Sequence, residues 1–128
     1  NYLVTSAKSK DDAFKGIDIG IVDLEYASGN VVLEDAKDSN IVFDDYTNTG
    51  SKMLDSWVFS FLLQLLERSR KLNCNIFLGS HDIRNFNKTK LIQLEMQGFV
   101  MFPRSNFNSS MKILKHILDF SKILIEIY

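Results

Sequence analysis

Two acidic residues, Asp44 and Asp45, follow directly on the apolar run Ile41-Val42-Phe43. A short run of that kind reads as a strand buried on both faces of a parallel sheet. Open parallel sheets present their functional groups at the carboxyl ends of strands. A carboxylate placed there is a hard oxygen donor suited to Mg2+. A second carboxylate close to the metal can orient or deprotonate an attacking water. The pair Asp44-Asp45 could therefore serve a metal and an attacking water between them. The same pair also suits a plain turn, because Asp after a strand readily hydrogen-bonds nearby backbone. The sequence leaves both readings open.

The next apolar run, residues 75–78, ends in Gly79-Ser80-His81. A polar group at that strand end, Ser80 or His81, can meet a terminal phosphate through one hydrogen bond. His81 is equally at home as a turn residue. The segment before this strand is basic, Glu67-Arg68-Ser69-Arg70-Lys71. An arginine there, Arg70 before Arg68, can reach a phosphate across a subunit boundary, or it can lie in solvent at a helix end. Arg84, Lys88, Lys90 and Arg104 suit either a DNA-facing loop or a solvated face. Cys74 reads as a buried thiol at a strand edge. His116 reads as a surface residue of an amphipathic helix. The two histidines are too far apart in sequence for a zinc pattern.

The elements that must position these groups alternate between β-rich and helical stretches, which is the pattern of an α/β fold with a mainly parallel sheet flanked by helices. Residues 2–5 read as a first strand, and the polar stretch around residues 10–14 as helix-like. Residues 16–40 carry no clear pattern; Val31-Val32-Leu33 suits a short strand or an apolar anchor. The turn cluster Thr47-Asn48-Thr49-Gly50-Ser51 ends in a residue able to cap a helix. That helix runs from Lys52 to about Leu72. Its first half, residues 53–66, is apolar nearly all round and is expected to be well buried; its basic end complements the helix dipole. Beyond the strand at 75–78, a helix is expected over 88–96 and a strand over 98–102, stopped by Pro103. A helix over 109–120 and a strand over 123–127 complete the pattern.

At 128 residues the chain is long enough for one domain and short for two separate cores. Its formal net charge of -1 means that any nucleic-acid contact must be local. A lone cysteine excludes an internal disulfide framework and fits a reducing compartment. The longest apolar stretch, residues 53–66, is broken by Asp55, Ser56, Ser60 and Gln64, so no membrane-spanning segment is expected. Asn1 leads straight into Tyr2-Leu3-Val4, and the chain ends on a strand-like run. It reads as a fragment.

Taken in order, these motifs resemble those of the FtsK/HerA class of P-loop ATPases, and among them the poxvirus and giant-virus DNA-packaging ATPases. The first strand with Ser6 at its end, followed by Asp11-Asp12, is similar to a segment of that family. Phe43-Asp44-Asp45 matches its acidic Walker B strand. Ser69-Arg70-Lys71-Leu72-Asn73 leading into Ile76-Phe77-Leu78-Gly79-Ser80-His81 looks like its arginine-containing link and next strand. Val100-Met101-Phe102-Pro103 matches a further strand ending in Phe-Pro. Two departures stand out. His81 occupies a position where the family usually has Gln. No Gly-x-x-x-x-Gly-Lys-Ser/Thr occurs, since Thr49-Gly50-Ser51-Lys52 has neither the spacing nor the order. In the family that loop lies upstream of a segment like residues 2–6.

The resemblance implies a partial RecA-like P-loop ATPase core over residues 1–128, downstream of the Walker A loop. It implies ATP and Mg2+ as cofactors, with Asp44 on the metal, Asp45 on the attacking water, Ser80 and His81 near the nucleotide, and Arg70 acting on a neighbouring subunit. Its partners would be double-stranded DNA, capsid or portal-region viral proteins, and further copies in a homo-oligomeric ring without a membrane. Its place would be the host cytoplasm, a viral factory or the virion. The alternatives are a non-catalytic α/β scaffold or binding module, and a plasmid-transfer or cell-division ATPase of the same superfamily.

Overall fold

A computed structural model of the chain describes residues 1–6 and 12–79. The chain divides into two units, Asn1–Ser80 and His81–Tyr128, and all the described residues belong to the first. The elements expected at 88–96, 98–102, 109–120 and 123–127 lie outside the described residues.

Among the described residues, four short strands form one all-parallel sheet: β1 (Tyr2–Val4), β2 (Gly20–Ile21), β3 (Asn40–Phe43) and β4 (Asn75–Leu78). Their order is β2-β1-β3-β4. The chain therefore steps from β1 to one side, then returns past β1 to build the other side. The expectation that residues 2–5, 41–43 and 75–78 share one parallel sheet holds, with register Tyr2 beside Ile41 and Ile41 beside Ile76. At the amino edge, the Asn40 amide donates to Asn1 Oδ1 at 3.0 Å and the Asn75 amide donates to Asn40 Oδ1 at 2.9 Å. A one-residue slip would break this ladder and exchange the two faces of the strand.

Helix α1 (Leu24–Asn30) joins β2 to β3, and α2 (Lys52–Leu72) joins β3 to β4. The two helices pack on each other, and α2 also packs on β4. Ser51 caps α2 by accepting from the Leu54 N–H at 3.3 Å. Asp55 in the first turn accepts from the Thr49 N–H and hydroxyl at 2.9 and 2.6 Å, which fixes the loop ahead of the helix and sets an acid at its positive end. At the other end Asn73 takes the left-handed conformation, φ 50, and its amide donates to Asp38 Oδ1 at 2.8 Å. Asp38 in turn donates its N–H to the Leu72 carbonyl at 2.9 Å. This clasp ties the end of α2 to the turn that starts β3.

The core holds Leu3, Val4, Ile41 and Phe43 of the sheet with Leu54, Val58, Leu62 and Leu65 of α2. The periodicity of the buried α2 residues makes one stripe, at positions three to four apart. The expectation of near-uniform burial along 53–66 is corrected here. Met53 is 74% exposed, and Trp57 and Phe61 are half-buried, stacked on each other at 5.0 Å. Apolar side chains one turn apart cover one another as well as the core. In the stretch 31–33 no strand forms; a 3-10 turn, Leu33–Ala36, occupies that region. A single 3-10 turn, Asp12–Phe14, stands in the segment read as helix-like. Cys74 is buried just ahead of β4, as expected.

Candidate functional site

Three strand ends converge where the acid pair sits. Beyond β1 and β3 the parallel ladder continues: the Asp44 N–H donates to the Val4 carbonyl at 3.0 Å, and the Ser6 N–H to the Asp45 carbonyl at 2.9 Å. The Ser6 hydroxyl donates to that same carbonyl. From the other side, the Gly79 N–H donates to the Phe43 carbonyl at 2.8 Å. The pair thus stands at the carboxyl end of an internal strand, with Thr5 and Ser6 on one side and Gly79 on the other.

This is also where the strand order reverses. β2 lies on one side of β1 and β3 on the other, so the connections leaving β1 and β3 diverge. In open α/β sheets that divergence leaves the crevice in which ligands bind, outside the carboxyl ends of the strands. Asp44 is half-buried and Asp45 exposed, so both carboxylates remain open to a ligand or to water.

The main chain of the pair is anchored from both flanks. Phe43 is 1% exposed and Tyr46 7%, and their rings meet edge to face with centroids 5.7 Å apart. Burial pushes the Tyr46 hydroxyl above its ordinary pKa, so it stays protonated at neutral pH. Asp45 itself sits in the left-handed region, φ 48, a conformation that Asp and Asn tolerate better than most residues. Asp45 therefore has a turn-forming role in its backbone whatever its carboxylate does.

The Asp44 carboxylate has room because its neighbour lacks a side chain. A Cβ placed on Gly79 would stand 2.9 Å from Asp44 Oδ1. The fit to Mg2+ follows from the donor set. That ion usually takes one or two carboxylates and fills its remaining positions with water and phosphate oxygens. Asp44 supplies such a carboxylate, and among the described residues no group of three or more His, Cys, Asp or Glu offers an all-protein cage. The sequence contains no phosphate-binding loop of the Gly-x-x-x-x-Gly-Lys-Ser/Thr type.

Of the sequence-predicted residues, Asp44 and Asp45 are together at the strand end. Arg70 is not with them. It lies exposed in the last turn of α2, beside the clasp to Asp38 and hence at the amino edge of the sheet. The 21 residues of α2 span about 30 Å, so Arg70 is remote from the acid pair of its own chain. Ser80 and His81 lie outside the described residues, as do Arg84, Lys88, Lys90, Arg104 and His116. Two features are not legible as parts of a site in the sequence: the pair of hydrogen bonds that Ser6 donates to the Asp45 carbonyl, and the space that Gly79 leaves. The only signal for the second was a glycine directly after an apolar run.

Among the described residues no helix is long and apolar enough to cross a membrane. Searches with the chain against protein-family models, curated proteins and solved structures find no match.

Proposed function

We propose that this chain carries the metal- and water-handling part of an ATP-hydrolysing site, within an ATP-driven DNA translocase that packages a viral genome. The observation that supports it is the placement of Asp44 and Asp45 at the carboxyl end of an internal parallel strand, at the point where the strand order reverses. Sheets of this kind serve many functions, so the acid pair and not the fold carries the reading.

In this account Asp44 would hold Mg2+, which would supply charge neutralisation at the phosphate oxygens. Asp45, exposed and next in the chain, orients the attacking water and takes its proton. Ser6 and the buried Tyr46 keep the Asp45 backbone in place, so the carboxylate is presented from a fixed turn. The triphosphate itself would need a phosphate-binding loop, which in the family this chain resembles is a Walker A loop upstream of a segment like residues 2–6. Arg70, remote from its own acid pair, acts on the nucleotide of a neighbouring copy, as a homo-oligomeric ring of RecA-like cores permits. Double-stranded DNA meets local basic residues and not a basic surface as a whole, given the net charge of -1. Capsid or portal-region proteins complete the machine, in the host cytoplasm or a viral factory.

The second reading is a non-catalytic α/β scaffold. It is favoured by the backbone work that Asp45 already does, with φ 48 and a carbonyl held twice. The two readings separate on Asp44→Asn in the complete ring. Loss of magnesium-dependent ATP affinity together with turnover is the result for a motor site. Unchanged affinity and turnover is the result for a scaffold.

A further inference from the structure

Gly79 directly follows β4, and its backbone does not require glycine. The positive-φ glycines among the described residues are Gly16 and Gly50; Gly79 is not one of them. What is special at Gly79 is space. An added Cβ would lie 2.9 Å from Asp44 Oδ1, while the next nearest atoms, the Phe43 carbonyl oxygen and Asp44 Cγ, stand at 3.6 and 3.7 Å, ordinary contact distances. A single oxygen, at the tip of the residue assigned to the metal, is in the way.

We infer that Gly79 is a positioning residue: its missing side chain lets the Asp44 carboxylate lie over the end of β4, in the orientation that receives a divalent cation. This rests on the metal reading of Asp44. The obstruction is the far end of a side chain and not backbone, so a methyl group at position 79 swings the carboxylate aside at little expense to the fold. The N–H of residue 79 still donates to the Phe43 carbonyl, the 2.8 Å bond that pairs the strand ends, since alanine keeps its donor. Stability and metal binding therefore respond differently to one substitution. A residue that mattered only for packing would lose both together.

The test is a double-mutant cycle in the complete protein, with Mn2+ as a spectroscopic stand-in for Mg2+ in the presence of ATP. Gly79→Ala, Asp44→Asn and the double variant are compared with the parent for Mn2+ affinity and for thermal unfolding. Changes in the supporting shell of a metal site commonly weaken affinity by about 10–100-fold, and Gly79→Ala is expected to fall in that range with a nearly unchanged melting temperature. In the Asp44→Asn background the same change is expected to add little, because the group it displaces is no longer a carboxylate. Parent-like Mn2+ affinity in Gly79→Ala, or a loss that adds in full to that of Asp44→Asn, overturns the positioning role. Parent-like affinity in Asp44→Asn itself overturns the metal reading and the inference with it, so the two failures are distinguishable.

Discussion

The backbone carbonyl of Asp45 accepts from both the N–H and the hydroxyl of Ser6, so the end of β3 is fastened to the end of β1 through the main chain of the second acid. The carboxylate of Asp45 takes no part in that fastening. Structural and chemical roles of this residue therefore separate by substitution. Asn tolerates the left-handed backbone, and Asp45→Asn is expected to stay within about 0.5 kcal/mol of the parent in stability. Ala does not, and Asp45→Ala is expected to cost about 1 kcal/mol. Ser6→Ala removes one of two donors and should cost roughly 0.5–1 kcal/mol. Urea unfolding of the three variants checks the order.

A second prediction concerns the helix that backs the site. Leu62 is fully buried and Met53 is 74% exposed, although both lie in the same apolar run. Leu62→Ala should destabilise by roughly 2–5 kcal/mol, because a cavity is left where neighbours cannot collapse. Met53→Ala should stay within about 0.5 kcal/mol. Equal losses at the two positions, measured by denaturant unfolding, would contradict the single buried stripe.

Burial pushes the Cys74 thiol above its ordinary pKa, with a backbone hydrogen bond drawing it part of the way back. In the unfolded chain the thiol ionises at about 8.5, whereas in the native protein it keeps its proton to higher pH. The unfolded state thus loses its proton first, and stability falls as pH rises from the unfolded value towards the native one. Below that window the group contributes no pH dependence. Urea midpoints at pH 7.5 and 9.5 are expected to drop for the parent and to drop less for Cys74→Ala, whatever the alanine costs at neutral pH.

Much of this arrangement is legible in the sequence because it is local. Ser51 before an apolar run and Arg70-Lys71 at its end mark α2 at both boundaries, and the compact runs 41–43 and 75–78 mark the two strands it joins. What was not legible is set by partners far along the chain. β2 is two residues long and α1 seven, too short for periodicity to show, and they exist because β1 and α2 pack against them. The single buried stripe of α2 is not legible because an apolar residue such as Met53 says nothing about which side of the helix meets the sheet. The strand order, which places the acid pair at the reversal point, follows from pairings between β1 and β3 that local pattern does not encode. Gly79 was visible as a glycine, but its meaning depends on where the Asp44 carboxylate lies, and only the fold supplies that.

The most direct test of the account is steady-state ATP turnover and magnesium-ATP affinity of Asp45→Asn in the whole protein. Asn preserves the left-handed turn and the carbonyl that Ser6 holds, so a change in rate reports on the carboxylate and not on folding. If Asp45 positions the attacking water, turnover falls by about 10²–10⁴-fold while affinity for magnesium-ATP stays near that of the parent. Turnover close to the parent's would mean that the acid pair is a turn, and that the ATP-hydrolysis reading of this chain is wrong.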